Sequence, residues 1–148
     1  MNRMIDSIML IDDEDLFRLV FEDACSILDI TLSLEALNSS DEANRMFKEW
    51  FPDDKDHERP ECVFVDLNII GSSFNGIEMI YKINHEYGNG CVIGIISSSD
   101  DTQEIEKAKE AGAQFWIIKS DDIEPRLEEF RDDYEGYKNK TNPFKIYK

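Results

Sequence analysis

Histidine is nearly missing from this chain: its 148 residues hold two, His57 in a charged stretch and His85 near an expected helix end. Both read as solvated surface side chains. Cysteine is scarce too. Cys25, Cys62 and Cys91 are odd in number, widely spaced and set inside apolar segments, so they read as buried free thiols with no zinc spacing among them. No apolar run approaches the roughly 20 residues of a membrane span, and Asp6 interrupts the N-terminal stretch where a signal peptide would be apolar. The expected place of work is the cytoplasm, away from membranes. Cations are outnumbered, with 16 Lys and Arg against 33 Asp and Glu and a formal charge of −17. Nucleic-acid phosphates are held by clustered cations that release counterions, so no direct nucleic-acid contact is expected.

What the chain does have is a regular alternation of short apolar runs and amphipathic stretches. Ile8–Ile11 is a continuous apolar run that stops at Asp12, the pattern of a strand buried on both faces. Leu16, Phe17, Val20, Phe21, Ala24 and Leu28 then recur at helical spacing and predict a helix from Asp15 to near Asp29. Ile30, Leu32 and Leu34 alternate with polar neighbours and predict a second strand. Ser39 and Glu42 read as a capping box for a second helix along Ala43, Met46, Phe47 and Trp50. Past a charged loop over residues 52–60, residues 62–65 predict a third strand that runs into Asp66.

Ile77, Ile80, Tyr81 and Asn84 mark a third helix, and residues 91–96 a fourth strand closing at Ser97. Ile105, Ala108 and Ala111 mark a fourth helix stopping at Gly112, Phe115–Ile118 a fifth strand closing at Lys119, and Leu127, Phe130, Tyr134 and Tyr137 a last helix. Five strands alternating with five helices predict an α/β fold, a doubly wound five-stranded parallel sheet covered on both faces. The expected organisation is one domain over residues 1–137 and a basic tail over residues 138–148, where Lys138, Lys140, Lys145 and Lys148 occur without an acid. That tail reads as solvated and partly disordered, or as a docking segment for an acidic partner.

In open α/β sheets, ligands bind beyond the carboxyl ends of the strands. Four of the five predicted strands end in chemistry-bearing residues, Asp12-Asp13, Asp66, Ser97 and Lys119, while the second ends in Ala36-Leu37-Asn38, as an outer strand would. Singly, each has an ordinary explanation: an acidic N-cap, a turn residue, a capping hydroxyl, a solvated cation. Together at one sheet edge they are harder to assign to chance. Three converging carboxylates would raise one another's pKa unless a cation neutralised them. The donors are hard oxygens, which suits Mg²⁺ or Mn²⁺ and argues against zinc and copper. Mg²⁺ commonly shares its remaining positions with phosphate oxygens, so a phosphorylated ligand is implied.

On these residues the chain resembles the receiver domains of bacterial two-component response regulators, over about residues 6–135. In that family an acidic pair ends the first strand, the phosphoacceptor aspartate the third, a Ser or Thr the fourth and a lysine the fifth. The resemblance implies a flavodoxin-like strand order 2-1-3-4-5, with Asp66 as phosphoacceptor. It implies Asp12, Asp13, Asp66 and the backbone carbonyl of Asn68 as metal ligands. Lys119 and Ser97 would meet the phosphoryl oxygens, and Trp116 would be the aromatic that reorients on activation. The implied cofactor is Mg²⁺, with Mn²⁺ the alternative, and the implied donor a sensor histidine kinase or histidine phosphotransfer protein. The signal would pass through the face of helix 4, strand 5 and helix 5 to an output protein that the sequence does not name. Three departures stand out: Ser120 replaces the usual Pro, residues 66–76 form a longer loop without its proline, and Trp116 is larger than the usual Tyr or Phe. An altered loop after strand five and a restricted swing of Trp116 are therefore expected.

Eleven residues follow Tyr137, too few for an effector unit, so a stand-alone receiver is expected, a switch rather than an enzyme. It would serve as a target-binding regulator, a relay carrier or a phosphate sink. Two rivals use the same residues. An aspartate-nucleophile phosphohydrolase would also place Asp at a strand end with Mg²⁺, but typically carries a second Asp where this chain has Asn68. A non-phosphorylated pseudo-receiver interaction module would typically lose part of the acidic and lysine set, which is whole here.

Overall fold

The computed structural model describes residues 5, 7–30, 40–50, 60–69, 73–86 and 91–148, and there the apolar runs become strands and the amphipathic stretches helices. In chain order they are β1 (Ile8–Ile11), α1 (Asp15–Ile27), α2 (Ser40–Trp50), β2 (Cys62–Asp66), α3 (Gly76–His85), β3 (Val92–Ser97), α4 (Thr102–Ala111), β4 (Phe115–Ile118), α5 (Glu124–Lys138) and β5 (Lys145–Tyr147). The five strands form one sheet in the order β1-β2-β3-β4-β5, and every neighbouring pair is parallel. The expected second strand, with Leu32 and Leu34, and the Ser39 cap fall outside the described residues, so the described sheet begins at β1.

Strand residues alternate between two apolar layers, as the period of two requires. Met9, Ile11, Val63, Val65, Ile93, Ile95 and Trp116 join the layer under α2, α3 and α4. Ile8, Leu10, Cys62, Phe64, Val92, Ile96, Phe115 and Ile117 join the layer under α1 and α5. Helices on both faces are what parallel crossovers impose, and burial on both faces is why these strands read as unbroken apolar runs. All three cysteines are buried and free.

Two helical residues depart from the sequence reading. Leu16 is 67% exposed and Tyr81 54% exposed. Successive helical residues are about 100° apart, and Phe17 and Ile80 take the inward direction, which turns their neighbours Leu16 and Tyr81 to solvent.

The last residues depart further. Instead of a solvated tail, Lys145–Tyr147 adds a fifth strand alongside β4, with Trp116 opposite Ile146 and Ile117 opposite Tyr147. Phe144 and Ile146 pack on one apolar layer and Tyr147 is buried in the other, so this short segment keeps the same alternation as the interior strands. Three of the four lysines that suggested a tail are paired with the chain's own acids: Lys138 with Glu61 at 3.5 Å, Lys145 with Glu129 at 2.8 Å and Asp133 at 2.9 Å, and Lys148 with Asp100 at 3.9 Å.

Phe130 of α5 is the hub of the layer that holds these elements. Its ring centroid lies 5.2 Å from Phe64, 4.5 Å from Phe115, 5.5 Å from Tyr137 and 5.8 Å from Tyr147. Phe130→Ala is expected to cost about 3–5 kcal/mol in urea unfolding, the range for a buried aromatic truncated to a cavity.

Candidate functional site

The sheet register decides which side chains meet. Ile11 lies opposite Val65, so Asp12 follows β1 level with Asp66 at the end of β2. Ser97 lies opposite Ile118, so Lys119 comes one residue past the end of β4. The result is that carboxylate oxygens of Asp12, Asp13 and Asp66 all lie within 4.8 Å of one another. Asp12 is fully buried, Asp66 is 7% exposed and Asp13 is half-buried.

Local chain chemistry fixes each group. Asp12 Oδ1 accepts from the Glu14 N–H at 2.8 Å, a turn that starts α1. Arg18, one turn into α1, donates to the Asp12 carbonyl at 2.8 Å and pairs with Asp15. Lys119 extends its ammonium to within 2.8 Å of Asp12 Oδ2, 3.2 Å of Glu14 Oε2 and 3.6 Å of Asp66 Oδ1, and 4.6 Å from the centroid of the Phe17 ring. Its backbone N–H donates to the Ser97 carbonyl at 2.8 Å, which ties the ends of β3 and β4.

The end of β2 is set by α3. Asn75 and Glu78 close a capping box, Asn75 Oδ1 accepting from the Glu78 N–H at 2.8 Å and Glu78 Oε1 from the Asn75 N–H at 2.9 Å. Gly76 donates to the Leu67 carbonyl at 2.9 Å. A Cβ on Gly76 would sit 2.2 Å from the Asp66 carbonyl oxygen, so only glycine lets the helix start this close to the Asp66 backbone. The Asn-x-x-Glu spacing at 75–78 signals that cap, but the contact behind Gly76 is invisible in sequence.

Ser97 is buried, and its Oγ accepts from the Ser99 N–H at 3.1 Å. Trp116 is fully buried, and its indole N–H donates to the Ser99 carbonyl at 2.9 Å. The large indole thus lies inward, held to the loop after β3. Asn68 is exposed two residues beyond Asp66. Ser120 is joined to Lys119 by a trans peptide, and its hydroxyl oxygen accepts from Arg126 at 2.6 Å and the Asp122 N–H at 3.2 Å. Those two bonds are how the loop after β4 is built without proline. Glu14, Arg18, Phe17 and Gly76 complete the site and were not singled out by the strand-end pattern.

The electrostatics follow from burial. Asp66 is pushed up to about 7, chiefly by desolvation and then by the charges of Asp12 and Asp13, with Lys119 offsetting part. Desolvation also raises Asp12, again against Lys119 and the Glu14 N–H. Burial pulls Lys119 down, but Asp12, Asp66 and Glu14 outweigh it and the ammonium is held above its ordinary value. Asp12 Oδ2 is buried, with the Lys119 ammonium 2.8 Å away. One ammonium therefore serves Asp12, Glu14 and Asp66 together, beside a third clustered aspartate, Asp13, which leaves positive charge in deficit. A hard divalent cation fits that deficit, and Asp12, Asp13 and Asp66 would hold it.

A carboxyl whose folded pKa is raised stabilises the fold fully below its unfolded pKa, and that contribution is lost as pH rises through the folded value. For Asp66 the window runs from the ordinary 3.8 to about 7. Without divalent metal, Asp66→Asn is expected to match wild type at pH 4 and to exceed it at pH 8 by on the order of 2 kcal/mol in thermal unfolding. Saturating Mg²⁺ at pH 8 should narrow that gap by stabilising wild type more.

Comparison with known proteins adds the fold's relatives. No curated protein matches the chain. Among solved structures it is similar to the signal receiver domain of a modulated diguanylate cyclase from Desulfovibrio desulfuricans G20, with 19% identity, 90% of this chain and 97% of that one covered, and a TM-score of 0.66. The receiver domain of NtrX from Brucella abortus is similar at 22% identity, with 85% and 98% covered and a TM-score of 0.63. The manganese-bound form of response regulator Rcp1 is similar at 17% identity, with 88% and 91% covered and a TM-score of 0.63. The family model of the response regulator receiver domain matches residues 8–129, a span that runs from β1 into α5 and takes in every residue of the carboxylate–lysine cluster. The chain therefore belongs to the response regulator receiver domain family of two-component signalling.

Proposed function

We propose that this protein is a phosphorylation switch in which Asp66 accepts a phosphoryl group, with Mg²⁺ bound by Asp12, Asp13, Asp66 and the Asn68 carbonyl. The observation that carries the reading is the meeting of three carboxylates within 4.8 Å under a lysine that reaches two of them. A divalent cation supplies positive charge for the carboxylates and for incoming phosphoryl oxygens. The remainder is the work of the chain's own groups.

Asp66 must be ionised to act as a nucleophile, and its raised pKa leaves about half of it protonated near pH 7 until further cationic charge is present. The carboxylate then attacks phosphorus in line: an Oδ–P bond forms, the donor's P–N bond breaks, and the departing imidazole nitrogen takes a proton. A phosphohistidine of a sensor kinase or phosphotransfer protein is the donor class this chemistry fits. Lys119, 3.6 Å from Asp66 Oδ1, is placed to exchange carboxylate company for a phosphoryl oxygen. Ser97 is placed to turn its hydroxyl from the Ser99 N–H toward another. Such a turn would shift the loop that holds Trp116 and alter the face of α4, β4 and α5, the surface through which an output protein would read the state. The role is that of a cytoplasmic switch whose chemistry is confined to its own phosphorylation and dephosphorylation.

Intact mass after incubation with phosphoramidate or acetyl phosphate tests the reading. Wild type with Mg²⁺ is expected to gain one phosphoryl group, chelator to abolish the gain, and Asp66→Asn to show none. Gly76→Ala retains Asp66 but shifts its backbone, and should label at least about tenfold more slowly, since small misplacements at a reacting centre are costly. Failure to form an adduct, with Mg²⁺ bound and no inorganic phosphate released, would overturn the assignment.

A further inference from the structure

The described face of α4, β4 and α5 is not open, because β5 lies along the edge of β4. Only three residues make this strand, and their hold is local. Tyr147 is the anchor, 1% exposed, with its hydroxyl 2.7 Å from both the Tyr137 hydroxyl and Asp133 Oδ2. Lys145 pairs with Asp133 and Glu129, and Asn142 donates to the Asp133 carbonyl at 2.8 Å. Lys145 and Ile146 remain half-exposed, unlike the fully buried residues of β1, β2 and β3. Short edge elements with few buried side chains open at lower free energy than the interior strands beside them.

The segment also touches the moving parts proposed above. Ile146 pairs with Trp116 in register, and Trp116 donates to the Ser99 carbonyl in the loop after β3. Lys148 lies 3.9 Å from Asp100 in the same loop. A contiguous set of contacts thus joins Lys119 and Ser97, through Ser99 and Trp116, to β5.

We propose that β5 is an intramolecular strap: it occupies the β4 edge in the resting state and is released when the phosphoryl site is filled, which opens the α4–β4–α5 face to an output partner. The inference rests on the phosphoryl reading of the site. Drawing Ser97 toward a phosphoryl oxygen takes its Oγ from the Ser99 N–H, and movement of Ser99 leaves the buried Trp116 indole without its acceptor. Both losses fall on the neighbour against which the strap is paired. Filling the site and closing the strap then oppose each other, and linkage makes the opposition reciprocal.

Amide hydrogen exchange on the full-length protein reads the strap directly, with intact mass measured on the same sample. When the phosphoryl adduct is present, exchange at residues 145–147 is expected to rise at least about tenfold while β2 stays protected. Reciprocally, Tyr147→Ala, which removes the anchor, should bind the phosphoryl mimic beryllofluoride with Mg²⁺ about tenfold more tightly. An adduct with unchanged exchange at 145–147 overturns the strap and leaves the phosphoryl reading intact. Absence of any adduct overturns that reading and the strap with it.

Discussion

Like charge gathered in a buried pocket is the constraint on which this structure turns. Water would separate Asp12, Asp13 and Asp66 at little cost, but the fold brings them within 4.8 Å where desolvation raises Asp66 to about 7. Lys119 relieves part of that repulsion and is itself held in the charged form by it. The arrangement is unfavourable for the resting fold and therefore favourable for anything that brings positive charge or removes negative charge. Stability is given up at one place, and ligand binding recovers it.

The remainder of the molecule keeps those charges in place. Parallel pairing puts four strand ends in register, so residues distant in sequence arrive at one edge. Two apolar layers make the interior strands stiff, and the aromatic group around Phe130 ties α5 to them. Gly76 lets α3 begin against the backbone of Asp66, while Arg18 of α1 holds the backbone of Asp12. A rigid frame is what makes a small movement at Ser97 transmissible, because packed elements shift between discrete arrangements instead of deforming smoothly.

Much of this was legible in the sequence for a simple reason. A strand buried on both faces is an unbroken apolar run, and in a parallel sheet the residue that ends each run lies at the ligand-binding edge. Asp12, Asp66, Ser97 and Lys119 each end such a run, so the site could be found before its geometry. Contacts that depend on distance alone could not: the approach of Gly76 to Asp66, the Glu14–Lys119 pair and the turning outward of Leu16 all require the folded chain. β5 escaped because four lysines in eleven residues dominate its composition. The alternation of Phe144, Ile146 and Tyr147 is short, and the acids that pair with Lys145 sit on α5, 12 and 16 positions back in the chain at Asp133 and Glu129.

The most direct test of the account is a carboxyl-carbon NMR titration of Asp66, made without divalent metal and again with saturating Mg²⁺. Repulsion and burial predict a midpoint near 7 without metal, moving well down toward or below the ordinary carboxylate range when the cation neutralises its neighbours. An ordinary carboxylate midpoint that does not respond to Mg²⁺ would contradict the account, since Asp66 would then feel neither the crowding nor the cation on which the proposed chemistry depends.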